Sequence, residues 1–369
     1  MTRTVNIGLI GAGTVGSGVV QALKRNGALM ASRLGVRLRV TRVAVRSLRK
    51  KRDFKVPQTT LTTDWREVVN DPKVDLVVEL IGGTTTAKDV VLAALRAGKP
   101  VVTANKALLA FHGEKLFAAA EKSGANLYYE ASVAGGVPII KVIREALVGN
   151  RVTHLYGILN GTCNFILTKM NEGMEFDAAV KLAQQQGYAE ADPTLDVGGH
   201  DAAHKVGILA SLAHGFWVKP KQVYTEGIEQ VAPLDLEFAD SLGYAIKLLG
   251  IVKTSKPGPV QVSMYPALIP DDHVLANVSD VYNGTEHDPR NIQAICAACH
   301  DAKTERDRAA ATKYRADIKE RDRLRNHVGE NAADTFWTSK YALPTEEDAL
   351  FMLDQRRRTT IARANRKIA

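Results

Sequence analysis

The N-terminal part of the chain alternates short apolar runs with longer stretches in which apolar residues recur at helical spacing. A strand-like run begins at Val5, and residues Val15–Lys24 then follow the spacing of an amphipathic helix. Strands and helices that alternate in this way predict a parallel sheet with right-handed crossover connections. The same pattern continues with predicted strands at Arg37–Val45, Asp75–Ile81 and Pro100–Thr103 and a predicted helix at Thr86–Ala97.

Three glycines stand at the junction between the first predicted strand and the first predicted helix. Gly11, Gly13 and Gly16 follow the spacing Gly-x-Gly-x-x-Gly, with Thr14 and Val15 between the second and the third. The first glycine permits a tight turn, the second lets the backbone approach a pyrophosphate, and the third lets the helix lie close to the strand. A glycine-rich turn without a ligand is the alternative. The strand before it and the helix after it favour a dinucleotide site of the Rossmann type.

The end of the second predicted strand bears on which dinucleotide binds. An acidic residue there would select NAD through the ribose 2′-hydroxyl, but this chain has Arg46, followed by the basic run Arg49–Arg52. Guanidinium groups bind phosphate in a bidentate fork, so the sequence favours the 2′-phosphate of NADP, with NAD still possible. A solvated charge run is the alternative interpretation.

Composition and charge exclude several classes of protein. The chain has 369 residues, of which 45% are apolar and 24% charged, which is typical of a globular protein large enough for two domains. Its apolar runs are shorter than the roughly 20 residues that cross a bilayer. The N-terminal residues lack the pattern of a secretory signal. We therefore expect no membrane partner and a cytoplasmic location, which also suits three cysteines that cannot form a disulfide framework.

The charged fraction changes near residue 284. It rises from about a fifth of the residues before that point to more than a third after it, and the later stretches have helical character. We therefore expect three regions: a nucleotide-binding domain over 1–130, an α+β substrate and dimerisation domain over 131–283, and a mostly helical tail over 284–369. The net charge of +9 on so long a chain is a weak argument for binding nucleic acid, which we do not expect as a partner.

Candidate groups for proton chemistry follow the strands and occupy one later helix. Lys106 comes directly after the fourth predicted strand, where ligands bind in sheets of this type. Asp201 and Lys205 are four residues apart, which places them on one helical face. An exposed ion pair is the alternative for these two residues. A divalent metal site in the acidic loop Gly187–Asp196 is not supported by any ligand spacing.

Six segments together resemble homoserine dehydrogenases, and the resemblance covers about residues 4–283. These segments are Gly8–Gly16, Val77–Gly83, Thr103–Lys106, Tyr129–Pro138, Gly157–Asn164 and Gly187–Lys205. The resemblance implies NAD(P)-dependent reduction of L-aspartate 4-semialdehyde to L-homoserine, and the reverse reaction, in the biosynthesis of threonine, methionine and isoleucine. It further implies a homodimer that acts on this small-molecule substrate.

The resemblance also implies roles for individual residues. Lys205 and Lys106 would assist the proton movement, with Lys205 the direct partner of the substrate oxygen, and Glu190 and Asp201 would hold the amino-acid part of the substrate. Gly161 and Thr162 would lie near the nicotinamide. A sodium ion is implied at the side chain or backbone of Glu130 and the carbonyl groups of Val133, Gly135 and Val137.

Two features leave other functions open. Cys163 suggests a thiolate nucleophile, as in a phosphorylating semialdehyde dehydrogenase, although its neighbours match the alcohol-forming family and favour an inert packed thiol. In homoserine dehydrogenases a glycine-rich segment follows the region of Val278–Tyr282 and completes the nucleotide domain, and this chain does not show it. A catalytically impaired remnant that still binds nucleotide is therefore an alternative.

The sequence from Gly284 to Thr304 resembles the second half of an HNH endonuclease motif. Cys296, Cys299 and His300 are candidate zinc ligands there, with Asn291 in a matching position. The strand with the general-base histidine and the other cysteine pair is missing from this sequence, so zinc would have two cysteine ligands rather than four. A fusion of two gene fragments with a partly disordered or loosely helical tail, and a nuclease or DNA-binding appendage, are the two explanations.

Overall fold

The structure is a computed structural model that describes residues 3–50, 54, 60–254 and 259–276. The predictions for the tail, including those for Cys296, Cys299 and His300, lie outside the described residues, as do Lys51 and Arg52 of the basic run. Ten strands are numbered along the described chain: β1 (Arg3–Ile10), β2 (Val36–Ala44), β3 (Leu61–Thr62), β4 (Leu76–Glu79), β5 (Val101–Thr103), β6 (Leu127–Tyr128), β7 (His154–Gly157), β8 (Tyr224–Thr225), β9 (Tyr244–Thr254) and β10 (Val260–Pro270).

The α-helices are numbered in the same way over the described residues. They are α1 (Thr14–Leu34), α2 (Trp65–Val69), α3 (Thr86–Arg96), α4 (Lys106–Ser123), α5 (Ile139–Lys141), α6 (Gly161–Asn171), α7 (Phe176–Gln185), α8 (Thr194–Val197), α9 (His200–His214) and α10 (Pro233–Ser241). Within the described ranges, none of them combines the length and the apolar character needed to cross a bilayer.

The contacts divide the chain into two compact units. Of the described residues, those up to Asn160 and those within Thr194–Gly227 and Leu249–Tyr265 form the first unit, and those within Gly161–Pro193 and Ile228–Leu248 and from Pro266 onward form the second. The domain boundaries predicted at residues 130 and 283 stay predictions.

A six-stranded parallel sheet is the centre of the first unit. Its strand order is β3-β2-β1-β4-β5-β6, and the pairs on both sides of β1 are parallel. This order belongs to the doubly wound Rossmann arrangement, in which ligands bind beyond the carboxyl ends of the central strands, where the strand order reverses. The reversal lies here between β1 and β4. The predicted fold class is confirmed for this sheet.

The apolar faces of α3 and α4 form the main core of this unit together with the sheet. Val90 and Val91 of α3 and Leu108 and Leu109 of α4 are fully buried in one cluster. Parallel strands covered by helices on both faces carry near-continuous apolar runs, and such runs in the sequence predict β1 and β4.

The first helix is longer than its sequence pattern predicted. The pattern indicated Val15–Lys24, whereas α1 continues to Leu34. The added turns contain good helix formers after Gly27, and the helix ends where Gly35 takes a left-handed conformation with φ 69° and donates its N–H to the carbonyl of Ala31.

A second, four-stranded sheet has the order β7-β9-β10-β8. β7 pairs antiparallel with β9, whereas β8 pairs parallel with β10, so the sheet is mixed. The predicted second α+β part of the fold is therefore confirmed. In the second unit, α6 is buried along most of its length, including Cys163, Ile166 and Leu167.

Candidate active site

The glycine turn between β1 and α1 has the geometry of a dinucleotide site. Gly11 has φ +99°, and a Cβ atom there would lie 2.6 Å from the carbonyl oxygen of Leu80. A Cβ at Gly16 would collide with the carbonyl oxygen of Gly11, whereas a Cβ at Gly13 would have no neighbour within 4 Å. The first and third glycines are thus required by packing, and the second leaves space for a ligand to approach the backbone.

The N-terminus of α1 suits an anion. Gly13 is its N-cap, with no side-chain hydrogen bond, and the first turn contains no acidic residue. The exposed residues Thr14 and Val15 begin the helix. The backbone N–H groups of this turn therefore keep their donor capacity for a ligand such as a pyrophosphate.

Arg46 lies beside this turn. The N–H of Gly11 donates to the carbonyl of Ala44 at 2.9 Å, which fixes the end of β2 against the glycine turn. Arg46 follows two residues later, is exposed, and forms no ion pair with another residue that the structure describes. Its guanidinium is therefore available where a ribose 2′ position is expected.

Lys106, Asp201 and Lys205 form one charged cluster in the first unit. The Nζ of Lys106 lies 2.8 Å from Asp201 Oδ1, and the Nζ of Lys205 lies 2.8 Å from Asp201 Oδ2. The Asp201 side chain is 13% exposed, whereas that of Lys106 is 40% exposed. The structure therefore brings three predicted site residues together, with the Asp201 carboxylate between the two lysines. Lys106 is the most exposed of the three.

Packing between α4 and α9 brings these residues together. Lys106 is the first residue of α4, and Asp201 and Lys205 lie in the first half of α9. The rings of Phe111 on α4 and His204 on α9 meet edge to face with centroids 5.3 Å apart. This contact places the start of α9 beside the start of α4, at the carboxyl end of β5.

Two polar residues next to the cluster, Asn160 and Asp196, were not predicted from the sequence as site residues. Asn160 donates from Nδ2 to Asp196 Oδ1 at 2.8 Å and to Asp201 Oδ2 at 3.3 Å, so it bridges two carboxylates. The Nζ of Lys205 also donates to the carbonyl of Leu159 at 2.7 Å. The only sequence signal was the position of Asn160 and Asp196 inside the segments Gly157–Asn164 and Gly187–Lys205.

The pKa values of the two neighbouring carboxyl groups, Asp201 and Asp196, are shifted in opposite directions. Burial alone would raise the pKa of Asp201, but Lys205 and Lys106 outweigh it and hold that pKa below the ordinary value. At Asp196, burial raises the pKa and outweighs the hydrogen bond from Asn160, with Asp201 adding a like charge. Asp201 is therefore the anion of the cluster, and Asp196 is the group that takes up a proton more readily.

The second unit contains three other predicted site residues. Gly161 begins α6, and the buried Thr162 donates from Oγ1 to the carbonyl of Tyr188 at 2.6 Å. Glu190, two residues after Tyr188, is exposed, and its carbonyl accepts from Gln184 Nε2 at 3.2 Å. Within this unit, Thr162 is thus tied to the segment that leads to Glu190.

Cys163 is fully buried in α6. A nucleophilic cysteine needs access to substrate and a group that favours its thiolate. The burial of this side chain instead fits the packed thiol that its neighbours in sequence predicted.

The segment predicted to hold sodium follows β6. Glu130 accepts from the backbone N–H groups of Ile140 and Lys141, each at 3.0 Å, so its carboxylate caps α5. Val133 is buried, and the carbonyl of Val137 accepts from Ile139 N at 2.8 Å. Across the described residues, no group of three or more histidine, cysteine, aspartate or glutamate side chains could hold a metal ion. A cation here would depend mainly on carbonyl oxygens, including that of Gly135.

Comparisons with known proteins identify the family that the chain resembles. A family model described as homoserine dehydrogenase matches residues 138–312, and one described as homoserine dehydrogenase, NAD binding domain, matches residues 11–130. The first match extends past residue 284. A homoserine dehydrogenase from Pseudomonas aeruginosa is 47% identical over 76% of this chain and 64% of its own length. The chain therefore spans somewhat less than two thirds of that curated relative.

Solved structures show the same likeness. A homoserine dehydrogenase from Thiobacillus denitrificans is 46% identical, with a TM-score of 0.70 over 75% of this chain and 64% of its own. One from Staphylococcus aureus is 42% identical, with a TM-score of 0.67 over 75% of this chain and 70% of its own. A hyperthermophilic archaeal homoserine dehydrogenase in complex with NADPH is 27% identical, with a TM-score of 0.63 over 76% of this chain and 86% of its own.

Proposed function

Because the chain belongs to the homoserine dehydrogenase family, we propose that it interconverts L-aspartate 4-semialdehyde and L-homoserine with a nicotinamide dinucleotide. The observation that carries this proposal is the cluster of Lys106, Asp201 and Lys205 beyond the carboxyl end of β5. The glycine turn after β1 lies at the same edge of the same parallel sheet. A dinucleotide site and a proton-donating cluster at one edge are what a carbonyl reductase requires. The reaction would serve the biosynthesis of threonine, methionine and isoleucine.

Lys205 is the proposed proton donor to the substrate oxygen. Its ammonium group has three N–H bonds, of which Asp201 and the carbonyl of Leu159 accept two. The third is left for an oxygen of the substrate. A bound nicotinamide would supply the hydride. Lys205 would supply the proton that converts the alkoxide oxygen of the substrate into an alcohol. In the reverse direction, the neutral amine of Lys205 accepts that proton.

Lys106 stabilises charge at the same oxygen. Two ammonium groups and one carboxylate leave the cluster with one net positive charge, in a site from which water is partly excluded. Positive charge fixed in advance lowers the energy of a developing alkoxide more than that of a neutral aldehyde. Asp201 holds both lysines in place.

Glu190 and Asp201 are the proposed partners of the substrate ammonium group. Aspartate semialdehyde carries an ammonium and a carboxylate on a small skeleton, so it needs both signs of charge around it. Glu190 is exposed, and its side chain forms no ion pair with the residues that the structure describes. The proposal for Glu190 is supported by the family match to residues 138–312.

We propose NADP(H) as the preferred cofactor, with NAD(H) as the weaker one. Gly11, Gly13 and Gly16 would accommodate the pyrophosphate, Thr14 and Val15 would contribute from the first turn of α1, and Arg46 would bind the 2′-phosphate. Gly161 and Thr162 are proposed to lie near the nicotinamide. The archaeal relative was solved with NADPH, which is in line with this preference.

A sodium ion, a homodimer and a cytoplasmic location belong to the same proposal. The donors of the cation would be oxygen atoms of Glu130, Val133, Gly135 and Val137, and oxygen is the donor that hard cations prefer. Analytical ultracentrifugation in sodium and in tetramethylammonium buffers tests the dimer, and the melting temperature in the same buffers tests the cation.

For the segment from residue 284 onward, we propose neither nuclease activity nor DNA binding. Its half-motif lacks a general-base histidine strand, and a metal-dependent nuclease needs a base as well as a cation. Plasmid nicking that requires magnesium or zinc and is lost in His300→Ala would contradict this. Binding of one equivalent of zinc through Cys296, Cys299 and His300 without nicking would not.

The decisive experiment is a spectrophotometric assay with homoserine and each nicotinamide dinucleotide. We expect reduction of NADP by homoserine and oxidation of NADPH by aspartate semialdehyde. Fluorescence titration of NADPH under the same conditions separates binding from turnover. Binding without turnover would identify the chain as the impaired remnant.

A further inference from the structure

A fully buried carboxylate lies at the carboxyl end of β4. Glu79, the last residue of that strand, is 0% exposed. Its Oε1 accepts from the N–H of Ile81 at 2.9 Å, and its Oε2 accepts from the hydroxyl of Thr103 at 2.7 Å. A buried carboxylate is costly unless each oxygen has a donor, and here each has one.

The hydrogen bonds continue from Thr103 to the start of α4. The Thr103 hydroxyl, which donates to Glu79, accepts from the N–H of Asn105 at 3.0 Å. Asn105 then uses both ends of its side chain: Oδ1 accepts from Leu108 N at 3.0 Å as the N-cap of α4, and Nδ2 donates to the carbonyl of Gly83 at 2.7 Å. The path therefore returns to the loop that begins after Glu79.

These bonds form a closed ring around the loop after β4. Glu79 fixes the beginning of the loop at Ile81, and Asn105 fixes its end at Gly83. Gly82 and Gly83 both have φ of +71°, a conformation that residues with a side chain rarely adopt, so the loop shape is strained for any other residue. Thr103 connects the two fixed points from the neighbouring strand.

The ring lies between the two parts of the candidate site in the first unit. On one side, Leu80 donates its N–H to the carbonyl of Ile10 at 2.8 Å, and the Leu80 carbonyl oxygen lies 2.6 Å from the position that a Cβ of Gly11 would take. On the other side, Asn105 immediately precedes Lys106. A displacement of this loop would therefore reach both the glycine turn and the lysine.

We propose that Glu79, Thr103 and Asn105 are positioning residues, which hold the Ile81–Gly83 loop in the shape that dinucleotide binding requires and set the start of α4 for Lys106. This inference rests on the proposed function and adds to it a set of residues that touch neither substrate nor cofactor. The two hydrogen bonds of the Asn105 side chain have separable effects, because the bond to Leu108 caps a helix and the bond to Gly83 fixes a loop.

Two substitutions test the hydrogen bond from Asn105 to the carbonyl of Gly83. Asn105→Ser keeps a good N-cap for α4 and loses the donor to Gly83, whereas Asn105→Ala loses both. We expect Asn105→Ser to raise the Kd of NADPH about tenfold, with kcat at saturating cofactor within twofold of the parent. Asn105→Ala should raise that Kd similarly and in addition lower kcat, because Lys106 begins the helix that loses its cap.

Thr103→Val and Thr103→Ser test the link to Glu79. Valine has the shape of threonine without the hydroxyl, so it leaves one oxygen of the buried Glu79 without its donor. We expect Thr103→Val to weaken NADPH binding at least tenfold and Thr103→Ser to restore the parent Kd. As a control, Asp64→Ala removes the N-cap of α2, which accepts from Arg66 N. That change should lower the melting temperature without changing the Kd.

Hydrogen exchange supplies a readout that does not depend on catalysis. The amide of Ile81 should exchange faster in Thr103→Val than in the parent, and at the parent rate in Thr103→Ser. If Thr103→Val and Asn105→Ser lower the melting temperature while the Kd of NADPH stays unchanged, the ring is only structural and the inference is wrong. If the parent binds neither NADPH nor NADH, the proposed function fails. Unchanged exchange at Ile81 would then overturn the positioning role separately.

Discussion

The Nζ of Lys106 lies 2.8 Å from Oδ1 of Asp201, and this ion pair joins the first residue of α4 to the first turn of α9. A lysine that follows a strand of the nucleotide-binding sheet is thereby coupled to a carboxylate from a segment much later in the chain. Asp201 also contacts Lys205, so a change at any one of the three residues alters the charge that the other two experience.

Replacing Lys205 with alanine should lower kcat by roughly a hundredfold or more, because the variant loses the group that we propose exchanges a proton with the substrate oxygen. The Kd of NADPH should stay near the parent value, since the glycine turn is untouched. Steady-state kinetics with homoserine and a fluorescence titration measure the two effects.

Lys205→Arg distinguishes charge from proton transfer. A guanidinium keeps the positive charge but holds its proton too tightly to exchange it near neutral pH, so we expect this variant to be slow as well. Lys219→Ala, at an exposed lysine, is the control and should behave as the parent. If Lys205→Ala changes only KM, the residue binds substrate and does not transfer the proton.

Asp201→Asn should destabilise the protein by about 1–3 kcal/mol at neutral pH, because a largely buried carboxylate between two ammonium groups is replaced by a neutral amide. The pKa of Asp201 is lowered in the folded state, so its stabilising contribution is present above the ordinary value of 3.8 and is lost as the pH falls through the folded value. The stability difference between parent and variant should therefore be constant from pH 5 to 7 and shrink under more acidic conditions. Urea denaturation at several pH values measures it, and a difference that grew towards low pH would exclude the ion pairs as its source.

Local patterns made the nucleotide-binding sheet predictable. The glycine motif, the apolar strand before it and the helix after it are adjacent in the sequence. Asp201 and Lys205 are four residues apart and share one helical face. The two-residue strands β3 and β6 are too short to show any periodicity, so no pattern predicted them. Contacts between segments that are far apart in the sequence are not predicted by any local pattern.

The contact between Lys106 and Asp201 depends on how α4 packs against α9, and no spacing along the chain specifies that. Asn160 was hidden for the same reason, because its two acceptors, Asp196 and Asp201, lie on a later part of the chain. Glu79 left one signal, a charged residue inside the apolar run Asp75–Ile81 of a buried strand. A carboxylate in such a place needs partners, and only the tertiary structure identifies Thr103 as one of them.

Asp196→Asn should have the opposite pH dependence from Asp201→Asn. Burial raises the pKa of Asp196 in the folded state, so the parent loses stability as the pH rises from the ordinary value of 3.8 through the raised value. The amide cannot ionise and keeps an oxygen that accepts from Asn160. The variant should therefore gain melting temperature relative to the parent between pH 4 and pH 7. Asp89→Asn, at an exposed carboxylate on α3, is the control and should show no such gain. A parent and an Asp196→Asn variant with parallel pH profiles would contradict the assignment.

Arg46→Ala should narrow the preference for NADP(H) over NAD(H). Arg46 lies two residues beyond Ala44, whose carbonyl accepts from Gly11 N, so its guanidinium is near the expected position of the ribose attached to adenine. A bidentate contact with the 2′-phosphate would be lost for NADPH, whereas NADH has no such group. We expect the Kd of NADPH to rise about tenfold and that of NADH to change less than twofold. Arg37→Ala is the matched control, because Arg37 is also an exposed arginine and lies at the opposite end of β2. Since both variants lose one positive charge, a general electrostatic effect would weaken NADPH binding equally in both, and only a local contact with the 2′-phosphate would separate them.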